Sequence, residues 1–136
     1  MAIRYEEALQ LDLAPVRHAY AERDTILYAL GIGFGADPLD PAQLRHVYEE
    51  GLQAFPTMAV TLGFLSVRDI PLGIDYARMV HAEQELELFG PLPARGEVLG
   101  KTRVAGLVDR GPKGALVRLA RDITDEKRRA EQEAAH

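Results

Sequence analysis

The chain has no cysteine and no tryptophan among its 136 residues. The first absence excludes disulfide bridges and cysteine-ligated metal sites. No apolar run approaches the roughly 20 residues of a membrane-spanning helix. No basic start followed by an apolar stretch marks a secretory leader, so a cytoplasmic location is expected. Nor is there an excess of positive charge: the net charge is −5. A nucleic-acid-binding chain needs a basic face, which this composition does not advertise. The same acidity speaks against a simple electrostatic trap for phosphates.

What is present is the make-up of one folded domain. At 47% hydrophobic and 27% charged, the chain reads as soluble and globular. Its length matches one domain of about 150 residues and suffices to bury an ordinary core.

Residues 2–11 carry a weak helical pattern, ended or followed by Pro15. Glu22-Arg23-Asp24-Thr25-Ile26-Leu27-Tyr28-Ala29-Leu30 is a clear helix. Its acids fall in the first turn, where they complement the macrodipole. Ile26, Leu27 and Leu30 share one face at helical spacing, and Gly31, Gly33 and Gly35 end the run. Asp37-Pro38-Leu39-Asp40-Pro41 is a turn cluster. Asp40-Pro41-Ala42-Gln43 resembles a helix start, with a capping Asp and a proline at the first position. Residues 44–49 read locally as either that helix or a short strand. Residues 56–65 are apolar and rich in small side chains, which fits a short buried helix, too short to cross a sheet.

The remainder reads as strands. Val80, Ala82, Gln84, Leu86 and Leu88 alternate with His81, Glu83, Glu85 and Glu87, the period of a strand with one buried face. Gly90-Pro91-Leu92-Pro93 interrupts it. Val98, Thr102, Val104 and Val108 are expected to share a face of the next strand. Asp109-Arg110-Gly111-Pro112-Lys113-Gly114 is a hairpin connection, and Ala115, Val117 and Leu119 alternate beyond it. The stretch 125–136 is charged, either a solvated helix or disordered.

Two groups of residues together carry a family resemblance. One is the helix from Glu22 to Leu30 with Val47-Tyr48-Glu49 and Phe55-Pro56-Thr57. The other is Val80-His81-Ala82-Glu83-Gln84 with Pro91-Leu92-Pro93, Gly96, Asp109-Arg110-Gly111 and Lys113-Gly114-Ala115. Over roughly residues 14–125 the chain resembles the N-terminal, non-catalytic domain of MaoC-like dehydratases and R-specific (type-2) enoyl-CoA hydratases. The resemblance implies an α+β hot-dog fold, a bent antiparallel sheet around a short or degraded central helix, occupying residues 1–124 with 125–136 as a tail. It favours the strand alternative for residues 44–49. It implies pairing with a catalytic hot-dog subunit or domain, or a homodimer. The substrate it implies is a coenzyme A or acyl carrier protein thioester, with no other cofactor.

In that family an Asp and a His five residues apart lie in a Gly-Asp-x-Asn-Pro-Leu-His-x-Asp pattern. The nearest segment here, Gly35-Ala36-Asp37-Pro38-Leu39-Asp40, has Asp40 where the His belongs. No catalytic residue is therefore assigned, and Asp37 and Asp40 are expected to serve turns and caps. Phe55, Pro56, Thr57, Met58, Leu62 and Phe64, with Val60 and Leu65, offer an apolar wall for an acyl chain, or plain core. His81, inside the matched motif, would be a polar wall of that channel, a domain contact or a hydrogen-bonded structural histidine. His18 and His46 are expected on the surface or on strands, and His136 is terminal. No His or carboxylate spacing signals a metal.

Glu83, Glu85 and Glu87 are expected on a solvated or interface face. After residues 122–125 another strand is expected, and the charged sequence there lacks its chemistry. Another subunit, or another copy of this chain, is then expected to cover the exposed sheet edge. The alternatives kept are a homodimeric thioesterase using Asp37, Asp40 or a strand glutamate, and a non-enzymatic acyl-binding scaffold.

Overall fold

The computed structural model describes residues 3–135, with backbone only at 128, 129 and 132. At its centre two long strands form a hairpin, β2 (Gly96–Asp109) and β3 (Ala115–Asp125). β1 (Val16–Tyr20) pairs antiparallel with the other side of β2, giving the order β1-β2-β3. Tyr20 stands opposite Gly96, and Val98 opposite Asp125.

The hairpin forms where the turn residues lie. The chain makes a 3₁₀ turn over Gly111–Lys113, with Gly111 at φ 61°. The Gly111 N–H donates to Asp109 Oδ1 at 2.8 Å, and the Arg110 N–H to the Gly114 carbonyl at 2.7 Å. Along β2, Val98, Gly100, Thr102 and Val104 are buried at every second position. The register then shifts between Val104 and Gly106. An extra residue in one strand moves later side chains to the opposite face. The expectation for Val108 is corrected by this bulge. Leu107, opposite Val117, joins the core, while Val108 is 52% exposed.

Among the described residues four α-helices accompany the sheet. α1 (Tyr5–Leu9) buries Ala8 in a first apolar cluster with Leu13, Ile70, Leu72 and Val104. It lies within the expected residues 2–11, of which residue 2 falls outside the described residues. Lys101 fastens the following segment, donating to Asp12 Oδ1 at 2.6 Å and to the Leu13 carbonyl. α2 (Glu22–Gly31) starts and stops where the acids and glycines place it. The Ala21 N–H donates to Asp24 Oδ2 at 2.8 Å, and Gly33 follows at φ 105°. Buried Thr25 donates through Oγ1 to the Ala94 carbonyl at 2.7 Å.

Residues 44–49 are not a strand, which corrects the expectation taken from the resemblance. α3 (Pro41–Leu44) forms instead, its first turn capped by Asp40 Oδ1 accepting from the Ala42 N–H at 2.9 Å. The chain continues in turns, with the Val47 and Tyr48 N–H groups donating to the Leu44 carbonyl at 3.1 and 3.0 Å. Local capping chemistry prevails, and among the described residues this segment joins no ladder.

A second correction concerns residues 80–88. The alternation is there, but these residues join no ladder and all are exposed. α4 (Glu126–Ala134) follows β3 directly, with Asp125 Oδ1 accepting from the Lys127 N–H at 2.9 Å. Among the described residues β3 is therefore an edge strand with one free side. No described helix is long and apolar enough to cross a membrane.

Candidate functional site

The segment expected to hold an acyl chain begins at a 3₁₀ turn, Pro56–Thr61, with Pro56 at its first position. Proline suits that place because its fixed φ fits the turn and its missing N–H is not needed there. Phe55 stands at the entrance, its ring 4.7 Å from Phe34 and 5.4 Å from the His46 ring between centroids. His46 also contacts the Gln53 carbonyl through Nδ1 at 2.8 Å. Pro56 and Thr57 are exposed, and the Thr57 hydroxyl shares a 2.7 Å hydrogen bond with the Tyr28 hydroxyl of α2.

Met58 and Leu62 point the other way. Both are 2% exposed and belong to a second apolar cluster with Tyr20, Ala54 and Val98. Full burial of side chains of this size contributes about 1.5–3 kcal/mol each. The turn is thus pinned to the sheet by two of the side chains that were expected to form an acyl wall or plain core.

Gly63 closes the segment in the left-handed region, at φ 61°. Its N–H donates to His18 Nδ1 on β1 at 3.1 Å. With Nδ1 acting as acceptor, the neutral His18 ring carries its proton on Nε2. Phe64 is 60% exposed, and the Arg121 guanidinium carbon lies 5.4 Å from its ring centre. Arg121 donates through Nη2 to the Val60 carbonyl, while its buried Nε has no hydrogen-bond partner among the described residues. Burial pulls the Arg121 pKa below the ordinary guanidinium value.

Neither His18 nor Arg121 was singled out from sequence for this contact. Arg121 had a visible signal, since it occupies an inward position in the alternation Val117, Leu119, Arg121, Ile123. The seven expected site residues do not gather on one cavity. Met58 and Leu62 are core, Phe55 and Thr57 are at the outer end of the turn, and Phe64 is at the rim. His81 stands exposed on the unpaired stretch. Two open clefts lie elsewhere. One is bordered by Pro93, Arg95, Glu97 and Glu126, the other by Pro15, Leu99, Lys101 and Asp122.

Asp37 and Asp40 serve the backbone, as expected. Asp37 Oδ1 accepts from the Leu39 N–H at 3.0 Å, and Asp40 caps α3. Among the described residues no histidine forms an ion pair with a carboxylate, and no group of three or more His, Asp or Glu could hold a metal.

One titrating group reports on the second cluster. Burial chiefly, and the charge of Asp125, push the Tyr20 phenol up to about 12. Its hydroxyl donates to the Pro93 carbonyl at 2.7 Å. The folded state thus holds the phenol proton more tightly than the unfolded chain, where it leaves near pH ~10. Its contribution to stability is complete below that pH and is lost as pH rises through the folded value. Urea unfolding across that alkaline window should show stability falling with pH, and Tyr20→Phe should flatten the fall. At neutral pH the same substitution should cost about 1 kcal/mol through the lost hydrogen bond.

Comparison with known proteins bears on this framework. The family model described as the MFE-2 hydratase 2 N-terminal domain matches residues 18–133. The peroxisomal enoyl-CoA hydratase 2 of Arabidopsis thaliana is 38% identical over 116 residues, covering 79% of this chain and 37% of that protein. The peroxisomal multifunctional enzyme type 2 of Mus musculus is 35% identical over 101 residues, covering 68% of this chain and 14% of that protein. A MaoC-like dehydratase from Phytophthora capsici superposes with a TM-score of 0.71 at 30% identity, covering 90% of this chain and 44% of that one. The chain spans less than half the length of each of these relatives. The α+β hot-dog expected from the sequence stands, with a three-stranded antiparallel sheet as its described core.

Proposed function

The chain belongs to the MFE-2 hydratase 2 N-terminal domain family, and from that premise we propose that it is the structural and acyl-holding half of an R-specific enoyl-CoA hydratase or 3-hydroxyacyl-thioester dehydratase. A catalytic hot-dog partner supplies the proton-transfer pair. The substrate is an acyl thioester of coenzyme A or acyl carrier protein, and the reaction asks for no further cofactor. Adding water across a conjugated thioester needs a base for the water, an acid for the α-carbon and donors for the carbonyl oxygen as it gains charge.

The observation carrying this reading is how the acids and imidazoles are employed. Asp37 and Asp40 hold backbone N–H groups, and His18 and His46 hold backbone atoms of the segments they pack against. His81, Glu83, Glu85 and Glu87 stand in solvent. The likeness to parts of multifunctional enzymes supports a second unit alongside. Within residues 55–65, Phe64 and Pro56 are exposed apolar groups that an acyl chain would meet, each buried CH₂ of which contributes about 0.8 kcal/mol.

The test is reconstitution. This chain and a hot-dog carrying the intact Asp and His pattern are each assayed for loss of enoyl absorbance from crotonyl-CoA and longer trans-2-enoyl-CoA esters, then mixed. Neither alone should turn over at an enzymatic rate, and the mixture should. Full hydration by this chain alone would overturn the proposal.

A further inference from the structure

We propose that His18 is a proton-operated latch: its neutral ring seats Gly63 and Phe64 on the sheet, and a proton on Nδ1 releases them. The N–H of buried Gly63 donates to His18 Nδ1 at 3.1 Å. Among the described residues this is the one hydrogen bond made by the backbone of Gly63 or Phe64. Side-chain packing does not replace it. Gly63 has no side chain, and Phe64 is 60% exposed. A Cβ built on Gly100 would stand 2.7 Å from the Gly63 Cα, so backbone lies directly on backbone there.

The flanks are held independently. Leu62 is buried in the second apolar cluster and Ile70 in the first, with Leu65 and Val67 packed against that first cluster. Arg121 of β3 fixes the Val60 carbonyl. Release is therefore confined to the two residues between these anchors, and the glycine among them supplies the torsional freedom. It displaces the Phe64 ring, which stands beside the Arg121 guanidinium. All of these groups lie within the described residues. The latch goes beyond the function proposed above and does not rest on it.

The direction of the response follows from the imidazole. The neutral ring has one accepting nitrogen, whereas the cation carries a proton on both and accepts at neither. Turning the ring cannot restore the bond. Two N–H groups then face each other, one charged and the other buried. A buried donor without an acceptor is costly, and separation lets water reach both. The seated form thus requires the neutral ring, while the released form tolerates either. Seating is complete above the ordinary imidazole range, near pH ~6.5, and is lost as pH falls through and below it.

The surroundings do not hold a counter-charge against the ring. Tyr20, also on β1 with its ring 6.5 Å away, keeps its proton up to about 12. β2 presents Val98 opposite His18, and the neighbouring Glu97 pairs with Arg17 on the other face. Residues 55–64 contain no ionisable side chain. From β3, Arg121 brings a cation to the same segment, and like charge disfavours a second. On α2, Glu22 lies 3.7 Å from Arg95, and Asp24 accepts from the Ala21 N–H. Arg23 is exposed, and Tyr28 shares its hydrogen bond with Thr57. Among the described residues no carboxylate pairs with His18.

Solvent exchange of the Gly63 amide reads the latch directly. Its protection is measured by NMR on the whole chain at about pH 7.5 and about pH 5, either side of the imidazole range. Each rate is divided by that of an unstructured amide at the same pH. In the unmodified chain protection should fall at least about tenfold in acid, one hydrogen bond being lost at a buried donor, while amides along β2 keep theirs. His18→Asn sets an acceptor, Oδ1, about where Nδ1 stands and does not titrate, so Gly63 should stay protected at both pH values. His18→Ala removes the acceptor and should leave Gly63 unprotected at both. Protection that ignores pH in the unmodified chain, that falls equally along β2, that falls with acid in either variant, or that His18→Asn fails to restore would overturn the latch.

Discussion

Gly100→Ala should destabilise the chain by about 3 kcal/mol, with a melting temperature lower by roughly 10 °C. Gly100 lies on β2 where the segment after the 3₁₀ turn crosses the sheet. A Cβ placed there would stand 2.3 Å from the Gly63 carbonyl oxygen and 2.7 Å from the Gly63 Cα. Both obstacles are backbone, so neither can swing aside. Gly63 is itself held at φ 61° by its hydrogen bond to His18, and relief by shifting it would strain a left-handed residue and loosen that bond. The matched control is Gly106→Ala on the same strand. Its new methyl would meet only Arg118 Cβ at 3.9 Å, an ordinary contact. Thermal unfolding of the pair separates close approach from any general intolerance of alanine in β2. Equal stabilities would show that Gly63 and Gly100 do not touch as described.

Leu62→Ala is the second large effect, a loss of about 3 kcal/mol within the ordinary range for deleting a buried leucine. Leu62 is 2% exposed and packs in one cluster with Tyr20, Ala54, Met58 and Val98. Met58→Ala should cost a similar amount. Phe64→Ala, at the exposed rim, removes its contact with Arg121 and should cost under about 1 kcal/mol. Denaturant unfolding of the three variants therefore divides the segment into a face that holds the fold and a face available to a ligand. If Leu62→Ala left the midpoint unchanged, Leu62 would belong with Phe64 rather than with the core.

The contrast between these residues marks how far the sequence is legible. α2 was readable because its acids, apolar spacing and glycines all agree. The hairpin was readable because Gly111 and Gly114 permit few alternatives. Asp40-Pro41 correctly announced a helix start, and the resemblance misled where it set that local signal aside for residues 44–49. The alternation at residues 80–88 identified extended chain, but no pattern in one segment tells whether a neighbour is present to pair with it. The bulge after Val104 was invisible because one extra residue leaves composition and spacing nearly untouched while reversing the faces beyond it. At the candidate site, the capping duties of Asp37 and Asp40 could be read locally. The contacts of His18 with Gly63 and of Arg121 with Val60 span 45 and 61 residues, and only the folded chain brings them together.

The placement of Val98 and Val104 has a mechanical consequence. They lie six residues apart on β2, one in each apolar cluster. The same strand is thus a common spine, and neither cluster can come apart without disturbing the backbone that carries the other. Unfolding should therefore be all-or-none despite the divided interior, and a force applied at the 3₁₀ turn is transmitted along β2 to the packing around α1.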